Sequence, residues 1–447
     1  MEGLEISVVK LSEVLEDVDL RLESEYYNSE HIVFNSVQGC DIESFSQYGT
    51  SEDLNEEGKG FPILRLNEFD SFFISKPSKY CDLISKETFE LLKLKKNDVL
   101  ICRTNGNPKY VGKAAIVPKN YEYAFASYVF RLRPKTDIIN SATLVSFLNS
   151  KYGRIEIEKY SMVGNQANFS PAKFRQIAIP ILSKELNNKT EEIVYKSFEL
   201  LEESKSLYSQ AEDLLLGELG LKDWQPKNTL HTTKKFSDFA QSGRLDAEYY
   251  QPKYDDLFEK LSCLNCKRLG KIVSIKKSFD PGSDAYQETG IPFIRVSDIS
   301  KDGIEKTELH LSPIDFDIPE LKPKKDTILF SKDGSIGIAY KVQSDLNVFT
   351  SGALLHLVTT DSSILPDYLT LVLNSVVVKL QAERDSNGAI IQHWKPSDIE
   401  NVIIPILPEA IQTKIASLIQ QSFECKAQSK QLLEDAKRMV EAEIEKN

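Results

Sequence analysis

Two stretches of this sequence keep helical spacing for about ten turns each, and both stand behind the same four residues. Between Leu186 and Leu219 the apolar residues Val194, Phe198, Leu201, Tyr208, Ala211 and Leu215 step by three, four or seven. That spacing predicts a helix with a single apolar stripe, closed by Gly220 and the Trp224-Gln225-Pro226 break. At the end of the chain Ile411, Ile415, Leu418, Cys425, Leu432, Ala436 and Met439 repeat the steps, with Ser422 and Ser429 filling two turns. The phrase Ile-Pro-Ile-Leu precedes each stretch, at 179–182 and 404–407. A chain written this way is one unit made twice.

The rest of the sequence supports the duplication. Arg21-Leu22 and Tyr26-Tyr27 correspond to Arg244-Leu245 and Tyr249-Tyr250, and Gly60-Phe-Pro-Ile-Leu-Arg65 to Gly290-Ile-Pro-Phe-Ile-Arg295. The pattern Lys-Lys-Asn-Asp-Val-Leu-Ile-Cys-Arg-Thr-Asn-Gly at 95–106 answers Lys-Lys-Asp-Thr-Ile-Leu-Phe-Ser-Lys-Asp-Gly at 324–334, a buried strand running into a polar turn. Ala124–Arg133 and Val348–Thr359 are expected as strands, with Phe125/Ser127 matching Phe349/Ser351. Helices are expected to end at Leu148-Asn149-Ser150 and Leu373-Asn374-Ser375, and glycine-led polar loops follow at 164–171 and 388–396. A period of 223–230 residues is far too long for a solenoid, so a whole domain plus its helix is duplicated. The expected fold class is α+β, with globular domains at 1–185 and 223–408 and long helices at 186–222 and 409–447. The two helices are expected to form an antiparallel coiled coil with pseudo-two-fold symmetry.

Bulk properties narrow the function classes. With 447 residues and 41% hydrophobic side chains, each half can bury a core of its own. The net charge of −12 argues against indiscriminate coating of nucleic acid, yet the charge is uneven: residues 1–57 hold fifteen acids against two bases, whereas 93–135 hold ten Lys or Arg against two acids. The second segment is suited to phosphate, with a solvated basic face as the competing reading. No apolar run approaches a membrane span and the N-terminus lacks a signal-peptide pattern, so a cytoplasmic protein without membrane attachment is expected. Six scattered cysteines suit reduced thiols, and the Cys263-Leu-Asn-Cys266 spacing lacks a second ligand pair for zinc.

The doubled order of strand into Arg-Thr-Asn-Gly or Lys-Asp-Gly, Phe-x-Ser, Leu-Asn-Ser, polar loop, Ile-Pro-Ile-Leu and heptad helix resembles the specificity (S) subunit of type I restriction-modification systems, over nearly the whole chain. The resemblance implies a non-catalytic protein in which each head, a target recognition domain, reads one half of a bipartite site in double-stranded DNA. It also implies helices that set the spacing and bind two DNA adenine methyltransferase subunits, with translocating endonuclease subunits able to join. S-adenosylmethionine, ATP and Mg are then expected only in partner subunits, and no cofactor in this chain. The family's Pro-x-x-Glu-Gln before the helix is altered here: the second copy has Pro408-Glu-Ala-Ile-Gln412 and the first has Ser183-Lys-Glu-Leu, with neither proline nor glutamine. A DNA-recognition or protein-scaffold subunit of another multi-subunit defence complex is the alternative.

The candidate DNA-binding residues follow from side-chain chemistry at the paired turns and loops. In the first half they are Arg65, Arg103, Thr104, Asn105, Asn107, Lys109, Tyr110 and Lys113, then Asn165, Gln166 and Asn168. In the second they are Arg295, Lys332, Asp333, Ser335, Gln392, His393 and Lys395. Arginine forks fit guanine, amides fit adenine, and Lys109 and Lys113 suit phosphate. A solvated structural turn is the competing reading, and Arg65 and Arg295 could equally meet an internal carboxylate. Trp394 is expected to pack against its own head.

Enzyme motifs fail on inspection. Gly106 to Ala114 has five residues between its glycines and Ala114 where a phosphate-binding loop needs Ser or Thr. Asn107-Pro108-Lys109-Tyr110 has lysine in the third place of the methyltransferase Asn-Pro-Pro-Tyr pattern, without a glycine-rich site for the methyl donor. Glu320-Leu-Lys322 is a commonplace triplet in a chain with 27% charged residues. His31, His231, His310, His356 and His393 stand singly. No catalytic or metal-binding residue is therefore expected.

Overall fold

The computed structural model describes residues 8–16, 34–161, 167–227, 229, 231–316, 318–386 and 392–446. The Arg21-Leu22 and Tyr26-Tyr27 motifs lie outside these. The chain divides into two compact units, one of residues up to Glu202 together with Lys426 onward, the other Glu203–Cys425.

The first unit is built on a four-stranded antiparallel sheet in the order Glu43–Tyr48, Val129–Pro134, Val99–Cys102, Ala114–Ile116. Val99–Cys102 is buried along its whole length, as a run without polar alternation should be. A second sheet places Phe61–Leu64 between Lys79–Cys81 and Ala124–Phe125, with Phe125 opposite Leu64 in a parallel pair. The second unit repeats this plan. Its four-stranded sheet runs Val273–Lys277, Leu354–Thr359, Ile328–Ser331, Ala339–Lys341, and its other sheet pairs Ile291–Ile294 in parallel with Phe349–Thr350. Each unit then adds two helices, Ser141–Leu148 with Lys151–Tyr160 and Pro366–Asn374 with Val376–Asp385. The mixed helix-and-sheet class expected from the sequence is the one found.

Several repeated motifs acquire physical reasons. The Asn149 side chain accepts from the Ala114 N–H (3.2 Å) and donates to the Ala114 carbonyl (2.8 Å), while Asn374 does the same to Ala339 at 3.0 and 2.8 Å. Leu-Asn-Ser thus satisfies the free edge of a buried strand, and its serine caps the next helix through Gly153 N or Val377 N. Gly60 and Gly290 have φ of +81° and +131°, and a Cβ would lie 2.1 Å from the Cys81 carbonyl oxygen or 2.3 Å from that of Leu311. Only glycine fits either place.

The Ile-Pro phrases form short antiparallel ribbons, Ala178–Pro180 with Ser36–Gln38 and Ile403–Pro405 with Cys266–Arg268. Long helices follow, Lys184–Glu218 and Glu409–Ile444. The departure from Pro-x-x-Glu-Gln has a local remedy. Buried Gln412 accepts from Leu365 N (3.1 Å) and donates to the Leu407 carbonyl (2.9 Å); in the first unit buried Asn187 accepts from Asn140 N and donates to the Leu182 carbonyl, both at 3.4 Å.

Each unit contains a stretch of both helices. In the first, Ser197 Oγ meets Ser429 Oγ at 2.9 Å and donates to the Ser429 carbonyl at 3.0 Å. In the second, Ser422 Oγ meets Ser204 Oγ at 3.1 Å and donates to the Ser204 carbonyl at 2.8 Å. Val194, Leu201, Tyr208, Ala211, Leu215 and Ile415 are buried as the stripes predict. The late stripe differs from the expectation: Leu433 and Val440 are buried where Leu432 and Met439 are only partly so. Ser429 lies in the seam, and stepping four, three, four and four from it reaches Leu433, Ala436, Val440 and Ile444, all in the first unit's core.

The units differ in the polar residue of the central strand. Arg131, 2% exposed, bonds Asp98 Oδ2 at 3.2 Å and the Lys93 and Leu91 carbonyls at 2.8 Å each. His356 takes the matching place, its Nε2 2.8 Å from Thr350 Oγ1, and burial pushes its imidazole down to about 4. Below the ordinary value of 6.5 the unfolded chain takes up a proton that the folded imidazole refuses, so stability present above that pH is lost progressively down to about pH 4. The loss amounts to at most about 3 kcal/mol. Urea unfolding between pH 7 and 4 should show a shallower decline for His356→Gln than for the parent chain, and equal declines would contradict this account.

Candidate nucleic-acid interface

Turn and loop, about sixty residues apart in each half, meet side by side in both units. In the first, Thr104–Asn105 pairs antiparallel with Ala167–Asn168, Asn168 opposite Thr104 and Ala167 opposite Asn105. The Phe169 N–H then donates to the Arg103 carbonyl at 2.7 Å. In the second, Asp333 and His393 form the matching antiparallel bridge. There Gly334 N–H donates to the Gln392 carbonyl at 2.9 Å, and Trp394 N–H to the Lys332 carbonyl at 2.8 Å. Phe169 and Trp394, both buried, anchor these ribbons; Trp394 lies 5.8 Å from the Phe330 ring. Trp394 therefore packs within its own head, as expected.

The first ribbon is rich in donors. Arg103 is part-buried, its Cζ 5.1 Å from the centroid of the Tyr48 ring, and its backbone N–H donates to the Tyr128 carbonyl at 2.8 Å. Asn105 and Asn107 shape the turn: Asn105 Oδ1 accepts from Asn107 N (2.8 Å) and Asn107 Oδ1 from Lys109 N (3.1 Å), at the start of the 3-10 turn Pro108–Tyr110. Arg154 holds the turn from behind, donating to the Val111 and Lys109 carbonyls at 2.8 and 3.3 Å. Burial lowers the Arg154 guanidinium and pushes the neighbouring Cys102 thiol up to about 12, so that thiol is inert. Lys109 and Tyr110 are exposed, and Lys113 is half-buried with its ammonium 6.0 Å from the Tyr110 ring. Exposed Tyr48 and Tyr128 flank the patch. Asn165 and Gln166 lie outside the described residues, and Asn168 is half-buried.

The second ribbon is internally charge-balanced. The Lys332 ammonium donates to Asp333 Oδ2, and Asp333 Oδ1 lies 2.8 Å from His393 Nδ1. Gln392, His393, Lys395 and Ser335 are exposed, Ser335 offering its hydroxyl while its carbonyl accepts from Ser331.

The two strand-end arginines are engaged within their own heads. Arg65 donates to Glu68 Oε1 (3.1 Å) and Ser78 Oγ (3.0 Å) beneath the second sheet's edge, and its own backbone N–H is taken by Glu68 Oε2. Arg295 repeats the backbone bond to Asp298 and holds its guanidinium 3.8 Å from the same carboxylate, half exposed. Both meet an internal carboxylate. Sequence reasoning did not single out Tyr48 or Tyr128; they lie on the sheet edge and on the strand's approach, where only the fold brings them beside Arg103.

Among the described residues no cluster of His, Cys, Asp and Glu could hold a metal ion, and no helix is long and apolar enough to cross a membrane.

Parts of this chain are similar to known proteins. Residues 265–438 match the family described as type I restriction modification DNA specificity domain. The type I restriction enzyme MjaIX specificity subunit of Methanocaldococcus jannaschii is 30% identical over 170 residues, spanning 35% of this chain and 37% of that protein's length. Among solved structures, the type I S subunit from M. genitalium aligns over 93% of this chain and 96% of its own at 15% identity and a TM-score of 0.42. The HsdS subunit from Thermoanaerobacter tengcongensis aligns over 92% and 96% at 16% identity and a TM-score of 0.29.

The Trp394 indole N–H has no hydrogen-bond partner among the described residues, so the residue acts within them through its volume. Trp394→Phe should cost under about 1.5 kcal/mol by thermal or denaturant unfolding, while Trp394→Ala should cost about 3–5 kcal/mol and raise amide exchange at 332–335 and 392–395. Equal losses for the two variants would contradict the anchoring role.

Proposed function

We propose that this chain, which matches the type I restriction modification DNA specificity domain over residues 265–438 and resembles a type I specificity subunit over 170 residues, is the non-catalytic DNA-reading subunit of such a complex. Each head reads one half of a bipartite site in duplex DNA. The single observation that carries the reading is the ribbon described above, built twice from residues distant in sequence and dressed each time with Lys, Arg, Asn, Gln or His. A half-rigid strip of forks, amides and ammonium groups is what base edges and phosphates bind.

The long helices supply the spacing. Helices of 35 and 36 residues extend about 50 Å at 1.5 Å per residue, more than the ~34 Å of one duplex turn. Their solvated faces dock two DNA adenine methyltransferase subunits, and translocating endonuclease subunits can join that assembly. S-adenosylmethionine, ATP and Mg belong to those partners. The chain itself turns nothing over.

Replacement of residues 60–180 by the corresponding head of another specificity subunit should change one half of the methylated site and leave the other intact, as read by methylation mapping with the methyltransferase co-expressed. Removing one turn from the central helix should alter the gap alone. Binding should weaken by about 10³-fold or more between 50 and 200 mM salt if six or more phosphates are contacted. Simultaneous change of both halves, or DNA or nucleotide turnover by the pure chain, would sink the proposal.

A further inference from the structure

The two ribbons are not chemically alike, and the difference carries information about what each reads. We infer that Arg103 is the guanine-reading residue of the first head, and that Tyr48 is a positioning residue that aims it; this rests on the DNA-reading function proposed above.

Every other described arginine between residues 34 and 182 is engaged within the protein. Arg65 is held by Glu68 and Ser78, Arg131 and Arg133 by Asp98, Arg154 by two backbone carbonyls and Arg175 by Glu43. Arg103 has no hydrogen bond or ion pair from its guanidinium to the described residues, and its Nε is buried without a partner. Its guanidinium lies over the ring of Tyr48, which ends the edge strand Glu43–Tyr48 and is itself 46% exposed.

Stacking on an aromatic face fixes the plane of a guanidinium without consuming its donors. The terminal nitrogens of the fork remain for a ligand. A phosphate can be met from many directions, whereas the O6 and N7 of guanine in the major groove demand two parallel N–H groups in a set plane. A tethered plane is therefore the arrangement suited to a base. The backbone of Arg103 is fixed as well, its N–H on Tyr128 and its carbonyl on Phe169.

The second head lacks each part of this device. Lys332 stands where Arg103 does, with its ammonium on Asp333. In the strand pairing, Lys277 lies opposite Leu355 as Tyr48 lies opposite Phe130, so a lysine stands where the first head has the tyrosine ring. The halves of the site accordingly differ, the first depending on a guanine that the second head does not read in this way.

The full chain, purified with its methyltransferase partner, is tested by selection from a pool of random-sequence duplexes, with thermal melting to confirm that each variant folds. The wild-type complex should select a bipartite sequence. Arg103→Lys should lose about ten- to hundredfold preference at one G·C pair of one half. Tyr48→Leu should lose part of the preference at that same pair, and Tyr48→Phe should restore it. Uniform weakening on all sequences by Arg103→Lys would show a phosphate contact and overturn the inference, as would a Tyr48→Leu complex with undiminished guanine preference. Should Tyr48→Leu fail to fold, Arg103→Lys decides the matter alone. A wild-type complex that selects no sequence refutes the proposed function itself; one that selects a site without any Arg103-dependent G·C pair refutes only the present inference.

Discussion

One main-chain hydrogen bond, made twice, holds the proposed recognition surface together: Phe169 N–H to the Arg103 carbonyl and Trp394 N–H to the Lys332 carbonyl. Each ties the start of a polar turn to the loop that returns some sixty residues later, and each is locked by a buried aromatic ring next to it. Without that tie the turn and loop are two ordinary solvated segments. With it, Thr104–Asn105 and Asn168, or Asp333 and His393, become adjacent rungs of one ribbon. Burial of a large ring beside the bond is what makes the juxtaposition durable, since a backbone N–H closed off from water must keep its acceptor.

Behind the ribbons, each unit spends its polar groups on holding strands and helices in place. Asn149 and Asn374 close the edge strands, and Asn187 and Gln412 receive the chain at the helix starts. The serine pairs Ser197–Ser429 and Ser204–Ser422 are the polar positions of otherwise apolar seams. Each pair is matched hydroxyl to hydroxyl in the present register, and a slip of one turn would exchange these bonds for weaker packing against apolar neighbours. Small polar residues in the seam thus fix helix register at a modest cost in buried apolar area.

Much of this was legible in the sequence. Duplication showed because whole motifs recur in order, and the helices showed because a stripe at three-and-four spacing has no other economical use. The burial of Trp394 also followed, since a lone indole beside a strand is more easily packed than exposed. Other features had no local signature. The seam passes through Leu433 and Val440, not Leu432 and Met439, because steps of three and of four from Ser429 both keep helical spacing and only packing chooses between them. Asn187 replaces Gln412 through identical contacts that no motif would reveal. The stacking of Tyr48 on Arg103 joins residues more than fifty positions apart, and the bond between Asp333 and His393 spans sixty.

The central claim is that the two ribbons are the surfaces that meet the duplex. Amide hydrogen exchange on the full chain in complex with its methyltransferase, with and without duplex carrying the methylated site, tests it directly. Protection should appear at 103–110 and 167–169 and, separately, at 332–335 and 392–395, with a duplex altered in one half-site abolishing protection in one head only. Protection confined to other surfaces, or unchanged by the sequence of either half-site, would contradict it.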